Sequence, residues 1–431
     1  MARLVAIALL LAYLTLGERI ALGRQPGFPG LPVLEVAFVG AAFVAWLAAG
    51  RPRPVVRGGW VVSAGPLFTL LLVLPLAGLG LGTYGVTTLY SWMTVLVPLA
   101  VLAVTVTDSR AVLHAAHAAV VVHGTYGLAQ ALSRAGMLPA SVWGWAGRWD
   151  LDTQRSLNDA YVIAGRSTGL FINPNVFALW SVLGVVLAYR YLRGWRRGTG
   201  LVLAVSGVLT SQSRTGLLCL LVLVAVWALR AVAGRGDAGR LLARLAVVAL
   251  PVLWLVVLTG GLGRLLQTGL LGRVGTALRI ATDGVQGDRN LLGRVEAWRL
   301  AAEYSPADPR LALGTLGPPQ VHFPGIIDNQ YVAFYLQGGV LFVAAFVMAL
   351  LAPLALRARG VPEVGALGVC CFVIAVMSLT MMPLYAAQST ALLWVVAGLT
   401  VSVSGQGGPS RQGQPPPPDA RNRARARTAV W

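Results

Sequence analysis

Residues 328–350 read DNQYVAFYLQGGVLFVAAFVMAL, and the reading of this stretch decides the fold. After Asp328 no charged side chain occurs until Arg357. A run of about 20 apolar residues is what an α-helix needs to cross the hydrocarbon core of a bilayer. The run opens on four polar residues, Asp328-Asn329-Gln330-Tyr331, so the same segment supplies a membrane span and a polar mouth at its start.

Runs of this kind recur along the chain, at residues 3–22, 31–49, 60–82, 86–107, 111–131, 174–192, 198–212, 215–233, 241–260, 328–350, 365–384 and 386–404. Composition agrees: the 431 residues are 57% hydrophobic and 11% charged. A soluble protein carries roughly 25% charged residues, a gap too wide for a single anchor helix to explain. The expected fold is an all-α polytopic membrane protein, with about 12 transmembrane helices and a large extracytoplasmic loop that itself contains helices. Residues 1–404 form one transmembrane domain, and the Gly/Gln/Pro-rich, then basic, residues 405–431 form a disordered cytoplasmic tail. The apolar run after Arg3 lacks a small-residue cleavage site and is read as a retained first span.

The net charge is +19, and all 34 basic residues are arginine. In a soluble protein such basicity would point to nucleic acid, but here the arginines cluster in short connections between apolar spans. With the N-terminus inside, Arg51, Arg53 and Arg57, then Arg110, then Arg190, Arg193, Arg196 and Arg197, then Arg230, Arg235, Arg240 and Arg244, then Arg357 and Arg359 all fall on the cytoplasmic side. This alternation predicts a multi-pass protein of the bacterial inner membrane with both termini cytoplasmic. The remaining polar sequence concentrates in two extracytoplasmic loops, 132–173 and 261–327, where chemistry is expected. The cysteines, Cys219, Cys370 and Cys371, lie inside apolar runs and offer neither a disulfide framework nor zinc-ligand spacing.

Three arginines stand beside polar motifs on that outer face. Arg166 opens RSTGLFINPN (166–175), where Asn173 is a helix cap and Pro174 the first helical residue. Arg214 lies in SQSRTG (211–216), between two spans with almost no loop, so it is held at the membrane boundary. Arg294 lies in GRVEAW (293–298), near the start of an amphipathic helix from Leu292 to about Tyr304 on which Glu296, Arg299 and Glu303 are spaced to pair. A guanidinium beside free helix N–H groups suits a phosphate. Asp328 at the start of its span reads either as a cap or as a reactive acid. His114, His117 and His123 lie within the fifth span without a carboxylate there, which favours packing or a hydrogen bond to a neighbouring helix over a proton path. His322 is the one histidine in the outer loop.

In order, RSTGLFINPN, SQSRTG, GRVEAW, LGTLG (313–317) and DNQY resemble the O-antigen ligase and polymerase superfamily of bacterial membrane glycosyltransferases, over roughly residues 160–350. The resemblance implies transfer of a glycan from a polyprenyl-diphosphate-linked oligosaccharide to an acceptor hydroxyl on a second glycan, outside the cytoplasm, with no metal and no cofactor. It implies that Arg214 and Arg294, with Arg166 as a weaker third, bind the diphosphate. Asp328 and His322 are then rival bases, and Asn329, Tyr331 and Trp298 are candidate contacts to glycan or acceptor. Ligases of the superfamily carry histidine where this chain has Asp328, whereas many polymerases carry Asp-Asn. The departure favours a polysaccharide polymerase over a ligase that moves a finished glycan to a lipid core or protein. Expected partners are the lipid-linked donor, the acceptor, the bilayer and a chain-length regulator, and not nucleic acid. A secondary transporter is the alternative of another class, but it calls for ionisable groups near the bilayer midplane, and the three histidines are nearly all the spans offer.

Overall fold

The computed structural model describes residues 1–17, 33–50, 59–80, 88–144, 165–233, 289–304, 328–358, 364–385 and 387–405. Among them the chain is all-helical, with no strand. The helices are α1 (Ala2–Leu16), α2 (Val33–Ala48), α3 (Gly59–Gly80), α4 (Thr88–Thr107), α5 (Ser109–Arg134), α6 (Ser141–Gly144), α7 (Pro174–Tyr191), α8 (Gly194–Ser211), α9 (Arg214–Ala233), α10 (Arg289–Tyr304), α11 (Gln330–Ala358), α12 (Val364–Met377) and α13 (Ala387–Gly405).

Every expected span except 241–260, which lies outside the described residues, falls on one of these helices. Among the described residues one helix, Gln330–Pro353, is by itself long and apolar enough to cross a membrane. Ala2–Leu16, Val33–Ala48, Ala64–Gly78, Trp92–Thr107, Arg214–Trp227, Gly365–Met377 and Gln388–Thr400 are apolar but shorter. Two boundaries differ from expectation. The span 365–384 stops as a helix at Met377, where the Ser378 carbonyl accepts from Gln330 N at 2.9 Å, and the chain runs on as a connector that ends in a 3-10 turn, Pro383–Tyr385. The span 328–350 bends inside: Gly338 and Gly339 leave helical geometry, the latter at φ 67°, so a short piece carrying Gln330 and Tyr331 is set off from the rest of α11.

α7 is the central helix. Phe177, Leu179, Trp180, Val182, Leu183 and Leu187 are buried around its whole circumference, which is what an all-round apolar sequence requires. α5 and α8 pack against it and, at close range, against each other. A Cβ on Gly124 would stand 2.7 Å from the Leu203 carbonyl oxygen, so the two backbones touch there and only glycine fits.

Several long-range polar contacts lie toward the two ends of the bundle. At one end His123 Nε2 donates to the Leu14 carbonyl at 2.9 Å, Gln388 Nε2 donates to the same carbonyl at 2.8 Å, and Ser167 N donates to the Thr210 carbonyl at 2.9 Å. At the other, Arg196 Nη1 meets His114 Nε2 at 2.6 Å, Arg197 stacks over Tyr189, and the Tyr191 hydroxyl meets Thr400. The first end carries the polar motifs, and the second carries the short arginine-bearing turns. His123 also lies flat on Phe171, 4.3 Å between rings, and its Nδ1 accepts from Leu170 N. Both its ring nitrogens serve packing between helices, the use expected for it.

Candidate functional site

At the motif end, the RSTG segment is clamped between α5 and the α8–α9 turn. Gln130, in the last turns of α5, accepts from Thr168 N at 3.0 Å and Gly169 N at 2.9 Å and donates to Thr168 Oγ1. Gln212 Nε2 donates to the Gly165 carbonyl at 3.0 Å. Gly165, at φ 72° in the left-handed region that favours glycine, lies against the Arg134 guanidinium. Arg166 reaches across the clamp, its Nε to the Ser211 carbonyl at 3.0 Å and its Nη2 to Asn175 Oδ1 at 2.8 Å. Asn173 caps α7 by accepting from Asn175 N, with Pro174 in the first turn, as its sequence foretells. Arg166 thus braces the SQSRTG turn. Gln130→Leu leaves two buried N–H groups without acceptors, each costing about 1–3 kcal/mol, so the purified variant should melt several degrees lower; an unchanged melting temperature would show that the clamp does not matter.

The α8–α9 turn is tight. α8 ends at Gln212, in the left-handed region at φ 51°, and Ser213 caps α9 through Oγ to Gly216 N, which leaves Arg214 as the first helical residue, immediately outside the expected span. Its neighbour Thr215 shares a hydrogen bond with Thr380 of the connector, 2.8 Å between hydroxyl oxygens. The Arg214 residue is exposed as a whole, yet its affinity for the proton falls below that of an ordinary arginine, first through partial burial of the guanidinium and then through the positive charge of Arg294. Two motifs 80 positions apart in sequence therefore bring like charges within each other's field.

α10 delivers Arg294. Its Ala301 is buried against Ala333 and Leu336 of α11, with Val332 and the connector's Met382 packed around them. This small apolar contact seats α10 on the short outer piece of α11. From there Arg294 Nη2 donates to Asp328 Oδ2 at 3.2 Å, an ion pair with the arginine side chain 21% and the carboxylate 42% exposed. On the opposite side of α10 the expected pairs form: Arg299 bonds Glu296 at 2.6 Å and Glu303 at 2.8 Å, and the Arg299 hydrogen bond holds the Glu296 carboxyl below its usual range.

The start of α11 assigns its polar residues differently from the sequence reading. The cap is Asn329, whose Oδ1 accepts from Tyr331 N at 2.9 Å and Val332 N at 3.2 Å, while Nδ2 donates to the Leu379 carbonyl. Asp328, one residue earlier, is thereby released from capping to face Arg294. Tyr331 turns inward, its hydroxyl donating to the Ala375 carbonyl and its ring against Phe346. Asn329 and Tyr331 thus hold the start of α11 against the connector and α12.

Arg166, Arg214, Arg294, Asp328 and Trp298 all belong to the motif end. His322 lies outside the described residues. Sequence reasoning missed Gln130, Arg134 and the connector 378–382, which touches Arg214's neighbour on one side and Asp328's neighbour on the other. A glutamine near the end of an apolar span is the signal that could have revealed the first. Among the described residues no cluster of three or more His, Cys, Asp or Glu side chains could hold a metal ion. No family model, no curated protein and no solved structure matches this chain.

Proposed function

We propose that this chain is a multi-span enzyme of the bacterial cytoplasmic membrane that transfers glycan from a polyprenyl diphosphate to an acceptor sugar hydroxyl on the outer face, as a polysaccharide polymerase of the O-antigen ligase and polymerase kind. One observation carries the reading: Arg294 pairs with Asp328, and the residues next to Asp328 and to Arg214 bond adjacent residues of one connector, Leu379 and Thr380, so three separate stretches of sequence meet. Like charges held together in an apolar protein favour an anion between them. A diphosphate, with two phosphate groups to share, suits a pair of guanidinium forks.

The chemistry follows from that arrangement. The acceptor hydroxyl attacks the anomeric carbon, the new C–O bond forms, and the bond to the diphosphate breaks with its electron pair leaving on the phosphate oxygen. The hydroxyl proton passes to the Asp328 carboxylate and on to solvent. Charge grows on the leaving diphosphate, so fixed cations there lower the barrier. In-line attack inverts the anomeric configuration.

The membrane assignment rests on the apolar helices together with the arginine-bearing short turns at the end of the bundle opposite the motifs. The transporter alternative loses ground, since His123 has both ring nitrogens engaged within the protein. Deleting the gene in its host and analysing the lipid-linked glycan tests the reading: single repeat units on the carrier are expected. Full-length chains on the carrier would make the protein a ligase, and a normal glycan profile would sink both.

A further inference from the structure

Among the described residues, buried polar groups that find no partner gather where α10 meets α11. They are Arg294 Nε and Trp298 Nε1 on α10, Gln330 Nε2 at the start of α11, and Ser378 Oγ in the connector. Gln330 and Ser378 are fully buried, and each spends its other groups on the fold: Gln330 Oε1 accepts from Leu384 N, and Gln330 N donates to the Ser378 carbonyl. Buried donors in native proteins are nearly always satisfied. Four unsatisfied groups on adjoining elements therefore ask for an acceptor that the described residues do not supply.

The chemistry of the four narrows what that acceptor is. Arg Nε and Trp Nε1 are N–H donors with no capacity to accept. Arg294 and Trp298 are four residues apart on α10, so they share one face of the helix. Their partner must be rich in oxygen lone pairs, and the charges of Arg294 and Arg214 require it to be negative. Arg294 Nη2 is already engaged with Asp328, which leaves Nε for a second anion on the same guanidinium.

We propose that Arg294 Nε and Trp298 Nε1 together receive a phosphate oxygen of the lipid carrier, making Trp298 a hydrogen-bond donor to the diphosphate and not a stacking surface for sugar. Arg294 then links two reactive partners at once, with the carboxylate of Asp328 on Nη2 and the leaving group on Nε. The proposal rests on the diphosphate reading of the site and adds to it the residue and the atom that complete the cradle.

The test is binding of inorganic pyrophosphate to the full-length purified protein, measured by calorimetry alongside Trp298→Phe, Trp298→Ala and Arg294→Gln. Phenylalanine keeps an aromatic face and loses only the N–H, so Trp298→Phe should weaken pyrophosphate binding about tenfold, the size of one lost bond to a charged acceptor. Its melting temperature should stay near that of the parent. Trp298→Phe that binds like the parent while Trp298→Ala loses binding would overturn the proposal and make Trp298 a stacking surface. If pyrophosphate binds the parent and Arg294→Gln equally, the diphosphate reading itself fails. A soluble short-chain phosphatidylglycerol that displaces pyrophosphate at equal concentration would make the cradle a lipid-headgroup site and reject the carrier as its ligand.

Discussion

Arg294→Lys is expected to slow glycan transfer by about 10²–10³-fold, the loss typical when one preorganised donor to a developing oxyanion is removed. Lysine keeps the positive charge, so simple electrostatic attraction survives. What it loses is the planar fork: a single ammonium on a flexible stem cannot hold the Asp328 carboxylate and a phosphate oxygen in fixed directions together. Arg214→Lys should act in the same direction, because Arg214 is anchored at the first turn of α9 and is the second fork of the proposed site. Proteoliposomes loaded with lipid-linked repeat units give the measurement, with membrane insertion of each variant checked in parallel. Full activity in both lysine variants would remove these residues from the leaving-group site.

Asp328→Asn separates binding from transfer. Asparagine keeps the shape of the carboxylate and can still accept a hydrogen bond from Arg294, but it cannot take a proton. Transfer should fall by about 10²–10⁴-fold, the range for a lost general base. Pyrophosphate binding should tighten, because Arg294 no longer shares its charge with a carboxylate. Turnover at the parental rate would hand the proton-accepting role to another group, His322 being the candidate in the outer loop. Weaker pyrophosphate binding would mean that Asp328 holds Arg294 in place and does not compete for it.

The helices were legible because apolar runs report directly on burial, and the boundaries in the α7 region were legible because Asn173 and Pro174 are local signals that act on their own backbone. The break after Met377 was not. It depends on Ser378 offering its carbonyl to Gln330 N, a contact between residues 48 positions apart that no local pattern announces. The same holds for the cap of α11. Asp328 and Asn329 are equally good caps by residue type, and the choice falls to Asn329 because its amide also finds the Leu379 carbonyl while Asp328 finds Arg294. The arginines of the candidate site could be read from their motifs, whereas the scaffold that aims them could not, since Gln130 and Thr380 act only through partners far away in the chain.

The connector between α12 and α13 touches both halves of the site, Thr215 beside Arg214 through Thr380, and Asn329 beside Asp328 through Leu379. Those two footholds are adjacent residues on one short turn. The connector consequently works as a caliper, with one jaw beside Arg214 and the other beside Asp328, and its length sets the gap between them. Inserting a single residue between Leu379 and Thr380 would leave every charged group intact and yet reset the span of the grip.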